Sequence, residues 1–167
     1  MKKSANKNGF TLVEVLVAVM LVGLAVASLV GANLSFTKAN VVGTEMSNAE
    51  FLAEQIRELT VVLPAIDPNS ESVVVFGPEM GETLETYDDL DDFAGRTFSP
   101  PIDSERQTLS DMTGFSQNVV VENVSVNNYE QVVSNGTSDF YRVTVTVSFN
   151  SRQITSASWV RANIVTE

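Results

Sequence analysis

The sequence predicts an α+β fold: one long N-terminal helix, membrane-spanning at first and amphipathic afterwards, packed on a small antiparallel β-sheet. Three observations carry this reading. From Phe10 to Ala32 the chain runs for 23 residues with Glu14 as its only charged side chain. From Val42 to Leu63 apolar residues recur at helical steps, and in the last third apolar and polar residues alternate as in a half-buried strand.

A helix of 23 residues reaches roughly 35 Å, enough to cross a hydrocarbon core of about 30 Å. Lys2, Lys3 and Lys7 precede it with no balancing acid, so the positive-inside bias places the N-terminus in the cytoplasm and the rest of the chain across the membrane. A secretory signal peptide is the competing reading, with Ala25-Val26-Ala27 as its cleavage site. Against it, the apolar run continues through Leu29 and Val30 and carries Glu14 near its front. A carboxylate in hydrocarbon costs several kcal/mol. Glu14 therefore requires either an interfacial place at the helix start, where the macrodipole contributes at most about 1 kcal/mol, or a cationic partner.

In the second half of the helix, Val42, Met46, Ala49, Ala53, Ile56 and Leu63 form a stripe widened by Leu52 and Leu59. Glu50, Glu54 and Glu58 occupy the other side, with Arg57 near enough to Glu54 to soften the repulsion. Pro64 ends the helix, and Asp67, Pro68 and Asn69 make a turn. Gly23, Gly31 and Gly43 each cost about 1 kcal/mol relative to alanine; close helix packing and a soft point for bending are the two readings of them.

Beyond the turn, Val73, Val74 and Val75 predict a short strand over 72–76, closed by Gly77-Pro78. Residues 79–92 then hold seven acids and no base, with no regular apolar period, and read as a loop or broken helix. Asp88, Asp89, Asp91 and Asp92 are the candidate metal ligands, because clustered oxygens suit calcium. The EF-hand spacing fails here, since after Asp89 and Asp91 it is Phe93 that stands where a third acid or amide is needed, with no glycine following, and a solvated acidic loop is the preferred alternative. Val119 to Val126 predicts one strand, and Asn135-Gly136 marks a turn. Val143, Val145, Val147 and Phe149 alternate with polar residues in a second strand, and Asn150-Ser151 is a hairpin turn before a final strand from Ile154 to Ile164. The helical stripe is the available cover for the sheet's apolar face, with Trp159, Phe140 and Tyr141 expected in core or sheet.

Composition narrows function. The chain has 167 residues, 10 basic and 21 acidic side chains, a net charge of −11, and neither cysteine nor histidine. Disulfides, thiol nucleophiles, the usual zinc ligands and the commonest general base are thereby removed. No nucleophile motif remains, and paired acids such as Asp89 and Asp91 are weak grounds for catalysis; the chain is not expected to be an enzyme. An acidic surface repels phosphate backbones, so direct nucleic-acid binding is not expected either.

The Lys-rich leader, Gly9, Phe10, Thr11, Leu12 and then Glu14 ahead of an unbroken apolar helix resemble the processing signal of type IV pilins and of the pseudopilins of type II secretion. The resemblance implies cleavage after Gly9 by a prepilin peptidase, N-methylation of Phe10, and assembly in which the Glu14 carboxylate neutralises the Phe10 amine of a neighbouring subunit. Its implied divisions are a leader over 1–9, a transmembrane and filament-core helix over 10–32, the amphipathic half over 33–63, and a periplasmic pilin-like β domain over 64–167. Implied partners are the peptidase/methyltransferase, other pilin or pseudopilin subunits, an inner-membrane assembly platform and the membrane itself. Residues 87–103 and 114–124 are similar to the globular part of some minor pilins, in particular the mannose-sensitive haemagglutinin minor pilin type and proteins labelled pilus modification protein V. A minor filament subunit, inserted in the inner membrane and later in a pilus or periplasmic filament, is therefore expected. The alternatives are a minor pseudopilin of type II secretion and a membrane-anchored periplasmic binding module.

Overall fold

The computed structural model describes residues 9–67 and 76–163. Lys2, Lys3 and Lys7, Pro68 and Asn69 of the expected turn, and the expected strand over 72–76 apart from Phe76 lie outside the described residues. Helix α1 spans Leu12–Val61, two residues inside the expected limits at either end. Pro64 cannot continue it, having no N–H to donate. The chain divides into two compact units, Met1–Gly43 and Thr44–Glu167.

The described part of the first unit is the apolar half of α1. Its best window has a mean hydropathy of 2.7 and none of it is buried. Every residue from 9 to 43 is exposed, so Leu12, Leu16, Val19, Leu24, Val30 and their neighbours present apolar surface that water disfavours by roughly 1.5–3 kcal/mol per large side chain. Lipid or other protein chains must supply the contacts this segment lacks within itself.

In the second unit the remainder of α1 packs on an antiparallel sheet. The strands are β1 (Thr97–Phe98), β2 (Phe115–Ser125), β3 (Asn128–Val132), β4 (Phe140–Phe149) and β5 (Arg152–Ala162). Their order is β1-β2-β4-β5, with β3 paired to the end of β2. Ala49, Leu52, Ala53, Ile56 and Leu59 from the helix meet Val119, Val121, Tyr141, Val143, Val145 and Val147 from the sheet in one core. The alternation read in β4 is what faces those four odd-numbered residues inward. Tyr141 is buried, while Trp159 and Phe149 pack against the core half-buried. Phe140 lies beside Tyr129 of β3, ring centroids 5.3 Å apart.

Several expectations are corrected by this arrangement. The buried stripe begins at Ala49 rather than Val42: Val42 and Met46 are exposed. At this level the helix faces the tip of the β4–β5 hairpin, where the contact is polar, with Glu45 paired to Arg152 at 2.5 Å. β5 starts at Arg152, two residues before Ile154, because Asn150 and Ser151 take φ of 49° and 64°; positive φ at both central residues is the tight two-residue turn that matches strand twist. The neighbouring Gly114 is held to glycine, since a Cβ there would lie 3.0 Å from both Asn150 Oδ1 and a Phe149 ring carbon. β2 is longer than Val119 to Val126 suggests, reaching back to Phe115. β1 and β3 were not anticipated: β1 is only two residues long, and all five residues of β3 are exposed, leaving no apolar alternation to read.

Two buried amides tie the loops to this scaffold. Gln117 donates to Leu52 O at 2.8 Å and Ile102 O at 3.0 Å, and accepts from Ile102 N at 2.8 Å. Asn123 donates to the carbonyls of Ser138 and Phe140 and accepts from the N–H groups of Thr137 and Ser138. At the helix C-terminus, where the last carbonyls lack helical partners, the half-buried Arg161 guanidinium donates to Thr60 O and Leu63 O.

Candidate functional site

Two groups of residues carry chemistry: the start of α1 and the acidic segment that follows it in the second unit.

At the start of α1, Gly9 and Phe10 are exposed and precede the helix. Thr11 is the N-cap. Its carbonyl accepts the helical bond from Val15 N at 3.2 Å, its Oγ1 accepts from Glu14 N at 3.2 Å, and Thr11 N donates to Glu14 Oε2 at 3.5 Å. This is a capping box, in which an N-cap hydroxyl and an acid three residues on satisfy each other's backbone donors. The sequence carries its signature, Thr-x-x-Glu before an apolar run. The box fixes the first helical turn two residues beyond the Gly9–Phe10 bond. That bond lies in exposed, non-helical chain. The other Glu14 carboxylate oxygen has no hydrogen-bond partner among the described residues.

The acidic segment is less solvated than expected. Glu79, Glu85 and Asp88 are exposed, but Asp89, Asp91 and Asp92 are buried. The reason lies in apolar residues between the acids. Leu84, Tyr87, Leu90 and Phe93 recur every three residues and face the core, a spacing that suits turn and 3₁₀ geometry, in which positions i and i+3 eclipse. A 3₁₀ turn forms at Asp91–Phe93. Tyr87 meets Phe93 edge-on at 5.2 Å, and Leu90 N donates to Pro64 O at 3.0 Å, docking the segment beside the chain leaving α1. Arg106, at φ 66°, reaches across to donate to Glu85 O and Tyr87 O.

Within this turn Asp89 and Asp92 cap each other. Asp89 Oδ1 accepts from Asp92 N at 3.1 Å, and Asp92 Oδ2 accepts from Asp88 N at 3.0 Å and Asp89 N at 3.3 Å. The remaining oxygens, Asp89 Oδ2, Asp92 Oδ1 and also Asp91 Oδ1, are buried with no hydrogen-bond partner. Burial, together with neighbouring acids, pushes the Asp89 carboxyl up to about 8 and that of Asp92 up to about 6, and Asp91 is raised as well. A side-chain hydrogen bond that the protonated Glu79 carboxyl donates to Glu82 is the main cause lifting Glu79 to about 7. Of the four aspartates singled out from sequence, Asp88, Asp89 and Asp92 bring carboxylate oxygens within 4.8 Å of one another; Asp92 belongs also to a second such group with Glu79 and Glu82, and Asp91 belongs to neither.

Residues 4–30 match the prokaryotic N-terminal methylation motif. No curated protein and no solved structure matches the chain. The match covers N-terminal residues and the front of α1 and supports their likeness to type IV pilin-like proteins, which are structural subunits.

Proposed function

We propose that this chain is a minor structural subunit of a type IV pilus or pilus-like filament. It enters the inner membrane through the apolar half of α1, with the N-terminus cytoplasmic. The prepilin peptidase cleaves after Gly9 and Phe10 is N-methylated. Subunits then leave the lipid and pack their apolar helices together in the filament. The observation that carries this reading is an exposed apolar helix bearing the methylation motif, with Glu14 as its single charge from Phe10 to Ala32.

Assembly in this reading is electrostatic as well as apolar. Cleavage creates an amine at Phe10, and a buried carboxylate is tolerated when a cation meets it. Glu14 has one oxygen engaged in its own helix cap and a second to offer a neighbour's Phe10. Gly23 and Gly31 support close approach of a neighbouring helix, since a Cβ at either would meet nothing in this chain and small residues are favoured where membrane helices touch. The minor role rests on the similarity of residues 87–103 and 114–124 to minor pilins. A secretion pseudopilus would use the same N-terminal chemistry.

The test is fractionation of cells into sheared surface filaments and membranes, followed by detection of this chain with the filament subunits. Recovery in the filament fraction in small proportion to a major subunit supports the reading. Retention of all the protein in the membrane, in cells that make filaments, refutes it.

A further inference from the structure

We propose that a groove beside the end of α1 is the docking site for a lysine-bearing segment of another protein. This goes beyond the assembly role and does not depend on it.

The groove has a volume of about 480 Å³ and lies between the last turns of α1 and the turn over 104–107, with Glu85 also on its lining. Apolar surface faces water there: Leu59 is buried, but Leu63 is half-buried and Val62 is 80% exposed. Glu58, Glu85 and Glu105 line the same groove, and none of the three takes part in an ion pair among the described residues. The protein's own cations do not serve. Arg106, also on the lining, donates from its guanidinium to Glu85 O and Tyr87 O, which are backbone carbonyls. Arg57 of α1 pairs with Glu54, and Arg161 of β5 donates to Thr60 O and Leu63 O.

The rim is built in advance. Asp103 Oδ1 accepts from Glu105 N at 2.9 Å and Gln107 N at 2.8 Å, and Ser104 N donates to Gln55 Oε1 at 3.0 Å, which fixes the turn to the helix. A preformed site loses little to ordering when it binds. A concave surface lined by one sign of charge over apolar walls also concentrates its field, and so draws in the opposite charge.

The chemistry selects the occupant. Phosphate-bearing partners are repelled. A bare inorganic cation would answer the carboxylates and leave Val62 and Leu63 wet. A lysine answers both, since its ammonium offers three donors and its aliphatic stem covers apolar surface. Arginine's planar fork suits a single bidentate carboxylate, whereas Glu58, Glu85 and Glu105 come from three separate stretches of chain.

The experiment is carbodiimide coupling in cells that make the full chain, which joins a carboxylate directly to an amine it touches, followed by mass analysis of the joined peptides. Expected are peptides in which Glu58, Glu85 or Glu105 is joined to a lysine of a different protein, at a yield about fivefold or more above that from Glu50, an exposed acid earlier on the same helix. Val62→Ser leaves every carboxylate in place and alters an exposed side chain, so the fold is not threatened. It should lower the yield about fourfold, as loss of one methylene's worth of apolar contact implies. Yields from the groove no higher than from Glu50, or an unchanged yield in Val62→Ser, would overturn the proposal. So would coupling only to free polyamines, or only to Lys38, the chain's one lysine beyond Lys7, which would make the occupant a second copy.

Discussion

Thr11 and Glu14 satisfy each other's backbone donors at the first turn of α1, Glu14 N to Thr11 Oγ1 at 3.2 Å and Thr11 N to Glu14 Oε2 at 3.5 Å. The lone acid in the apolar helix therefore has a local task besides the intermolecular one proposed for it. The two tasks differ in what they require. A cap needs a hydrogen-bonding oxygen, which glutamine also provides, whereas neutralising a neighbour's amine needs charge.

Glu14→Gln consequently separates them. The first turn should stay folded, with amide exchange at Val13 to Val15 in micelles close to wild type, while recovery of the chain in sheared filaments falls by tenfold or more, on the order of the 1.4 kcal/mol or more that an unmatched buried charge represents. Thr11→Val should do the reverse, loosening the first turn by about 1 kcal/mol and leaving the charge in place. Equal incorporation of Glu14→Gln and wild type would exclude charge matching.

Gln117→Leu tests what joins the loop over 99–109 to the helix. It removes three bonds to Leu52 and Ile102 and leaves Ile102 N without its acceptor. A buried group so orphaned costs about 1–3 kcal/mol, and a loss of about 2–4 kcal/mol in urea unfolding is expected for the variant. Asn118→Leu, one residue away on the wetter face, should cost less. Equal losses would show that the side of the strand, and with it the bridge to the helix, is immaterial.

Stability should fall as pH rises. Asp89 and Asp92 have folded-state pKa values raised to about 8 and about 6 above their ordinary value of 3.8, so between those limits the folded chain holds protons that the unfolded chain has released. The contribution is complete below about pH 4 and is lost as pH passes through about 6 and then about 8. Unfolding at about pH 5 and about pH 9 checks this: a lower Tm at the alkaline end is expected, and a higher one would contradict the burial of these acids. Asp89→Asn should flatten the difference.

The parts of the fold legible in sequence were those with long, regular period. Glu14 amid apolar residues, the helical steps through Leu52, Ile56 and Leu59, and the alternation from Val143 to Val147 each report a surface that the chain must bury on one side. Asn150-Ser151 was legible because its turn chemistry is local. What stayed hidden depended on tertiary placement. β3 has no inward face, and β1 is held by pairing of Thr97 with Asn118 and Phe98 with Gln117. The end of the buried stripe at Ala49 depends on where the hairpin tip falls. In the acidic segment the charges masked Leu84, Tyr87, Leu90 and Phe93, whose three-residue step was present to be read; it is these residues that draw Asp89 and Asp92 inside. The capping box was likewise written in the sequence, as Thr11 and Glu14.

The most direct measurement is the mass of the N-terminal peptide, taken from cells with and without the prepilin peptidase. A chain beginning at N-methylated Phe10 when the peptidase is present, and at Met1 when it is absent, is the expected result. A terminus at Met1 in both strains would make α1 a plain membrane anchor, and one at Ser28 would make it a secretory signal; either contradicts assembly through a paired Phe10 amine and Glu14.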